Sequence, residues 1–211
     1  MTGSTLNMHY TIADPKTFGI SEYEPVLPIY HSGQPEDSKE HCSDLLHRLD
    51  RIDPDRLSPE NAYTYRLLHR SLENDLALAD FPYYNEPLSP SSGMQSQLPV
   101  LLAEYTFRTK RDVTDYLALL DQIDDYFASL LLYEQEKAAA GFFMPACSSE
   151  KVRKQCDTIV TTEELAQGTH FLQTTFEDRL SELQKQGLFT PEETASLIET
   201  NEHLLATVVQ P

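Results

Sequence analysis

The chain has 211 residues and a formal net charge of −18, with 16 Lys and Arg against 34 Asp and Glu. An excess of that size repels phosphate backbones and anionic headgroups, so nucleic acid and anionic membrane surfaces are excluded as expected partners. The length suffices to bury a core without staples, and Cys42, Cys147 and Cys156 fit no zinc ribbon or CxxC redox spacing.

Residues 1–37 read as an irregular lead-in punctuated by Pro15, Gly19, Pro25, Pro28, Gly33 and Pro35. Its stretch "HYTIADPKTFGISEYEPVLPIY" is too apolar for a free tail and is expected to lie across the helices that follow. No basic segment precedes an apolar one, so no signal peptide is visible, and no apolar run approaches the ~18 residues of a membrane span. A first helix is predicted from Ser38 to Ile52, where Cys42, Leu45, Leu46, Leu49 and Ile52 recur every three or four residues. Ser58 and Pro59 then suit the N-cap and first position of a second helix reaching Ala79, with Tyr65, Leu68, Leu72, Leu76 and Ala79 on its buried stripe.

Residues 81–105, "FPYYNEPLSPSSGMQSQLPVLLAEY", break that pattern. Pro87 and Pro90 prevent regular helix, Gly93 permits a turn, and a short helix is expected to start near Gln97 or Pro99. Thr109 and Asp112 have capping-box spacing. Beyond them Lys110 to about Ala140 reads as one long helix, or two in tandem with a bend near "QIDDY", stopped by Gly141. Another helix starts near Ser148 or Ser149 and carries Cys156 on its apolar stripe; Cys42 and Cys156 are expected to be buried thiols. Gly168 interrupts the next segment and Gly187 ends it, and "TPEE" at 190–193 caps a last helix with Ala195, Ile198, Leu204 and Leu205. The class expected is all-α: a multi-helix antiparallel bundle-like array in a single domain over 1–211, with the lead-in and the crossover as its irregular parts. The apolar pattern still running at "NEHLLATVVQP" reads as a cut chain or one half of a larger helical structure. It predicts self-association through the last helix, where Ile198, Leu204, Leu205 and Val208 lose cover, or fraying of its last two turns.

Catalytic motifs do not emerge. None of His9, His31, His41, His47, His69, His170 and His203 is followed by glutamate, and His41 and His47, six apart, fall on different helix faces. There is no GxSxG elbow, phosphate-binding glycine loop or dinucleotide fingerprint. Cys147 precedes a helix start, where a thiol pKa falls, yet no base is evident beside it. No catalytic residue, metal ligand or cofactor is therefore assigned to this chain. The crossover carries two readings. Phe81, Tyr83 and Tyr84 anchor it against the helices while prolines stiffen it; or Tyr83, Tyr84, Asn85, Gln95 and Gln97 line a cleft as hydrogen-bonding groups on a rigid loop that binds substrate.

"DFPYYNEPLSPSSGMQSQLPVLLAEYTFRTKRDVTDYLALLDQIDDYF" resembles a large bacterial family, domain of unknown function 885. Its members carry similar aromatics, "PLSP", a glycine, "QxxLPxLLAEY" and "F-x-T-x-x-D-x-x-x-Y-L" in that order. "HYTIADPKTFGI" and "EKAAAGFFMP" fit the pattern too, so the resemblance spans nearly the whole chain.

The resemblance implies more than the spacing shows. Family members are mostly helical, much longer than this chain, and look like zinc metallopeptidases of the zincin type, with a His-Glu-x-x-Pro-Gly-His motif in the C-terminal half. Nothing here matches that motif, so zinc is implied for a full-length member only. The chain resembles the N-terminal helical half, which in a zincin covers the active-site cleft and helps bind peptide. Its expected partners are the C-terminal catalytic half and peptide, and an extracellular or lipid-anchored location is implied by the resemblance alone. The alternative is a free-standing helical binding or scaffold module without enzymatic activity. Downstream reading frame separates the two.

Overall fold

Helical periodicity and caps settle most of the chain. The computed structural model describes residues 5–30 and 34–210, and for 34–37 the backbone alone; His31, Gly33 and Pro211 lie outside the described residues. The helices are α1 (Thr5–Thr11), α2 (Gln34–Leu49), α3 (Pro59–Leu78), α4 (Met94–Ala103), α5 (Lys110–Leu120), α6 (Ile123–Ala139), α7 (Ala146–Ile159), α8 (Thr162–Gln167), α9 (Phe171–Lys185) and α10 (Pro191–Leu204). Short 3-10 turns lie at Pro15–Phe18 and Pro54–Arg56, a π-helical turn at Leu205–Val209, and no strand occurs among the described residues. The fold is all-α.

The chain forms two compact units. One comprises Met1–Ile29, Pro87–Leu131 and Phe143–Pro211; the other comprises Tyr30–Glu86 and Leu132–Phe142. In the first, α9 packs on α4 and α10, α4 on α7, and α10 on α5. Its centre holds Leu98, Leu102, Leu119, Leu120, Leu172 and Leu180, none more than 1% exposed. Beside them Tyr105, Phe107, Tyr116 and Phe176 form a ring cluster with centroids 5.4–6.3 Å apart. Arg179 lies over two of these rings, 4.5 Å from Phe107 and 5.2 Å from Tyr116. Its guanidinium donates to the carbonyls of Leu102 (3.1 Å) and Tyr105 where α4 ends; Leu102 O also accepts from Tyr105 N–H at 3.2 Å.

The lead-in is more regular than its prolines suggest. Residues 5–11 form α1, with Leu6, Met8, His9 and Ile12 buried. A helix of seven residues is too short to stand alone, so this cover carries it. Thr5 knits the segment together, its N–H donating to the Val26 carbonyl (3.1 Å) and its Oγ1 accepting from the Val26 N–H (2.8 Å). Tyr23 donates to the buried Asp115 of α5 (2.7 Å), and Arg111 stacks on the Tyr23 ring at 3.8 Å. The bend expected near "QIDDY" is a break at Asp121 and Gln122, between α5 and α6. There the Gln122 amide accepts from Leu27 N–H (3.0 Å) and donates to Pro25 O (2.8 Å), satisfying extended backbone that has no ladder.

Both expected capping boxes are present, Thr109 with Asp112 and Thr190 with Glu193. Gly168 ends α8 at φ 66°, a left-handed conformation that glycine takes without a Cβ clash. Three expectations need correction. The helix expected at Gln97 or Pro99 starts at Met94, so Pro99 falls inside it and brings no N–H to the Gln95 carbonyl. Gly93 has an ordinary φ of −76°; what it supplies is room, since a Cβ would lie 2.3 Å from Ser89 N and 2.6 Å from Ser89 O. Cys156 is exposed, and all three thiols are free. At the other end Leu205 is fully buried while Ile198, Leu204 and Val208 are half-buried.

The second unit pairs α2 with α3. Ser58 caps α3, accepting from Asn61 N–H at 3.3 Å with Pro59 at the first position. Cys42, Leu49 and Leu72 form the buried seam, with Leu45, Leu46, Tyr65 and Leu76 against it. Ile52 and Leu68 of the predicted stripes are exposed: α2 ends at Leu49, leaving Ile52 in the turn beyond.

Candidate functional site

In the second unit the chain leaves α3 through tight turns. Phe81 N–H donates to Leu78 O (2.9 Å) and Tyr84 N–H to Phe81 O (3.1 Å). No backbone donor among the described turns reaches the carbonyls of Pro82 and Asn85. Tyr133 on α6 supplies one donor, its single hydroxyl proton shared between Pro82 O (3.0 Å) and Asn85 O (3.1 Å). One turn further, Lys137, 4% exposed in its side chain, holds Glu86 Oε2 at 2.5 Å with Glu134 Oε2 at 3.8 Å. Residues four apart share a helix face, so Tyr133 and Lys137 clamp both ends of the 82–86 loop. Burial, and then the charge of Glu86, push the Glu134 carboxyl up. Burial, then Glu134 and Glu86, push the Tyr133 phenol up to about 12, which keeps it neutral.

This clamped loop walls a cavity of about 610 Å³, within the range of small-ligand sites. Aromatic rings dominate its wall: Tyr30, Phe81, Tyr83, Tyr84 and Tyr133. The Tyr133 ring lies 5.5 Å from Tyr30 and 6.1 Å from Tyr83, and Tyr83 lies 5.8 Å from Phe142. Two carboxylates join the wall, Asp75 of α3 and Glu136 of α6, with His41, Ser38 and Asn85 as further polar groups. The arrangement offers apolar faces, π faces and hydrogen-bond acceptors on a fixed frame. It can bind and orient a ligand.

Of the five residues singled out in the sequence, Tyr83, Tyr84 and Asn85 meet at this cavity. Gln95 and Gln97 belong to the other unit. Gln95 is 2% exposed, and its amide donates to Ser89 O and to Gln155 Oε1, both at 2.8 Å. Gln155 in turn donates to Pro90 O at 2.9 Å, so the pair fastens the "PLSP" turn to α7. Gln97 is exposed on α4. Tyr133, Tyr30, Asp75 and Glu136 escaped the sequence reading. No local signal marks them: the helix that carries Tyr133 and Glu136 has other polar residues on every side, Asp124, Asp125, Glu134 and Gln135 among them.

The first unit has its own cavity, about 430 Å³, with Leu98, Phe127, Ile159, Leu172 and Val208 on an apolar wall. Cys156 also lines it; partial burial and Asp157 push its thiol up, away from the reactive thiolate. His170 caps α9 by accepting from Leu172 N–H (3.3 Å) at Nδ1, which leaves Nε2–H to donate to Ile159 O (2.8 Å). Among the described residues no three His, Cys, Asp or Glu side chains are placed to hold a metal ion. Likewise, no helix among them is long and apolar enough to cross a membrane.

No curated protein matches the chain. Its fold is that of a crystal structure described as a "putative lipoprotein from Colwellia psychrerythraea", with a TM-score of 0.74 at 17% identity. The match covers 98% of this chain and 36% of that one, so the chain spans about a third of the relative's length. The profile of a family described as "Bacterial protein of unknown function" matches residues 16–211, and the chain thus belongs to that family, DUF885.

Proposed function

We propose that the chain is the non-catalytic N-terminal helical region of a zinc-metallopeptidase-like protein, and that it binds peptide at the aromatic cavity beside the catalytic cleft. The cavity carries this reading: Tyr83, Tyr84 and Asn85 stand on a loop fixed by Tyr133 and Lys137, a pre-organised wall rather than a slack crossover. Coverage of only 36% of a longer solved relative of the same fold supports a larger whole. In this reading the C-terminal half is the partner and holds the zinc, and this chain's residues orient peptide toward it. The description of that relative as a lipoprotein supports a lipid-anchored location.

The test is a zinc titration with an assay against a mixed peptide library. The chain alone is expected to bind peptide, to take up no zinc tightly and to hydrolyse nothing. Stoichiometric tight zinc binding, or turnover abolished by a chelator, would overturn the reading. Asn85→Ala separates binding from folding, because Tyr133 holds the Asn85 carbonyl and not its side chain. Loss of one ligand hydrogen bond should weaken peptide binding by about two- to tenfold, with the melting temperature unchanged.

A further inference from the structure

The wall of the aromatic cavity has a charge as well as a shape. Asp75 and Glu136 both line it, and among the described residues no Lys or Arg does. Neither carboxylate makes a side-chain hydrogen bond or an ion pair among the described residues. The lysines on neighbouring positions are already engaged, Lys39 by Asp80 at 2.6 Å and Lys137 by Glu86. Phe81 and Tyr84, at 62% and 79% exposed, present large rings to solvent. Aromatic faces carry the negative end of the ring quadrupole, and unpaired carboxylates add net negative charge in the same space. An anionic ligand meets two uncompensated charges there, and a neutral apolar one leaves them unanswered. A cation on an apolar stem satisfies both features.

We infer that the cavity receives a Lys or Arg side chain of the bound peptide, its stem along Phe81, Tyr83 and Tyr84 and its charge toward Asp75 and Glu136. This rests on the peptide-binding reading above and adds the class of peptide. Glu136 lies three residues after Tyr133, on the same face of α6, so carboxylate and ring are presented together.

The experiment titrates the 211-residue chain by calorimetry with short blocked peptides whose central residue is Lys, Arg, norleucine or Glu, and with tetramethylammonium. The Lys and Arg peptides are expected to bind about tenfold more tightly than norleucine, the Glu peptide least, and salt at ~0.5 M should erase much of the difference. The double variant Asp75→Asn, Glu136→Gln should weaken the Lys peptide by about three- to tenfold and leave norleucine unchanged. Both carboxylates are exposed and unpaired, so its melting temperature should match the parent's. Should that variant misfold, Tyr84→Leu at a highly exposed position serves instead, and should remove the preference for Lys over norleucine. Equal binding of Lys and norleucine peptides overturns the inference and leaves the peptide reading standing. Binding of tetramethylammonium without any peptide overturns the peptide reading and supports a cation site. Binding of none overturns both.

Discussion

Arg179 offers the sharpest test of how the first unit is held. Its guanidinium is half-buried among rings and donates to its own helix at Thr175 O (2.7 Å) and across to Leu102 O and Tyr105 O. Leu102 O also accepts from Tyr105 N–H (3.2 Å) and keeps that donor, but Tyr105 is 0% exposed, so water cannot replace the donor to its carbonyl. One stranded carbonyl costs about 1–3 kcal/mol, and the lost contact with the Phe107 and Tyr116 faces adds about 1–2 kcal/mol. Against this stands the desolvation of the half-buried cation, which lowers its pKa and is recovered on removal. With that offset, which solvent access keeps small, the net loss for Arg179→Met is about 1–2 kcal/mol. For a chain of this length it corresponds to a fall of roughly 2–8 °C in melting temperature. Arg179→Lys keeps the charge but not the planar fork and should fall between. Thermal melts followed by circular dichroism decide the matter. If Arg179→Met melts within about 1 °C of the parent, the Tyr105 carbonyl was never dependent on the guanidinium and the reasoning fails.

Other consequences can be measured the same way. Gly93→Ala should destabilise by about 1–3 kcal/mol or more, seen as a lower urea midpoint, because its Cβ meets Ser89 backbone, which cannot give way, as well as the Gln95 side-chain oxygen. His9 stacks on Tyr105 at 3.7 Å and accepts from Thr106 N–H, and burial holds its pKa below 6.5, with Arg108 and Arg179 lowering it further and Asp112 opposing. The unfolded chain therefore binds the proton first, so stability is present above pH 6.5 and is lost as pH falls toward the lowered folded value; His9→Gln should flatten that slope in urea melts between about pH 7.5 and about pH 5. Glu134 is the opposite case. Its folded pKa is raised, so its ionisation penalty is present above that value and relieved as pH falls through it; Glu134→Gln should melt no lower than the parent at neutral pH, with any gain vanishing in acid.

What could be read from the sequence follows from how local each cause is. Caps were legible because their partners lie three residues apart, as in Thr109 with Asp112 and Thr190 with Glu193. Buried stripes were legible where a helix is regular, as for Leu45, Leu46 and Leu49, and failed at Ile52, where the helix had already ended. Helix α1 was not legible. Seven residues carry too little periodicity, and its support comes from Val26 and from Leu101, whose carbonyl accepts from the Tyr10 hydroxyl. The role of Gly93 was missed for a related reason: a close approach of Ser89 leaves no trace in composition, whereas a positive φ at least selects glycine wherever it occurs.

The same distinction explains the candidate site. Tyr83, Tyr84 and Asn85 could be found together because they are adjacent in the chain and differ from their surroundings. Gln95 and Gln97 could not be separated from them by sequence, since ten or so residues of loop fix no direction. What assigns each its place is a long-range polar tie: Tyr133 to the carbonyls of Pro82 and Asn85, and Gln155 to Gln95 and Pro90. These ties matter most where burial is least. The unit of Tyr30–Glu86 and Leu132–Phe142 has only Cys42, Leu49 and Leu72 as buried hydrophobics among its described residues. Its loop is therefore oriented by hydrogen bonds and one buried lysine rather than by a core. A loop held in that way keeps its ring faces free for a ligand, because the atoms that fix it are backbone carbonyls and the Glu86 carboxylate, none of them needed for packing.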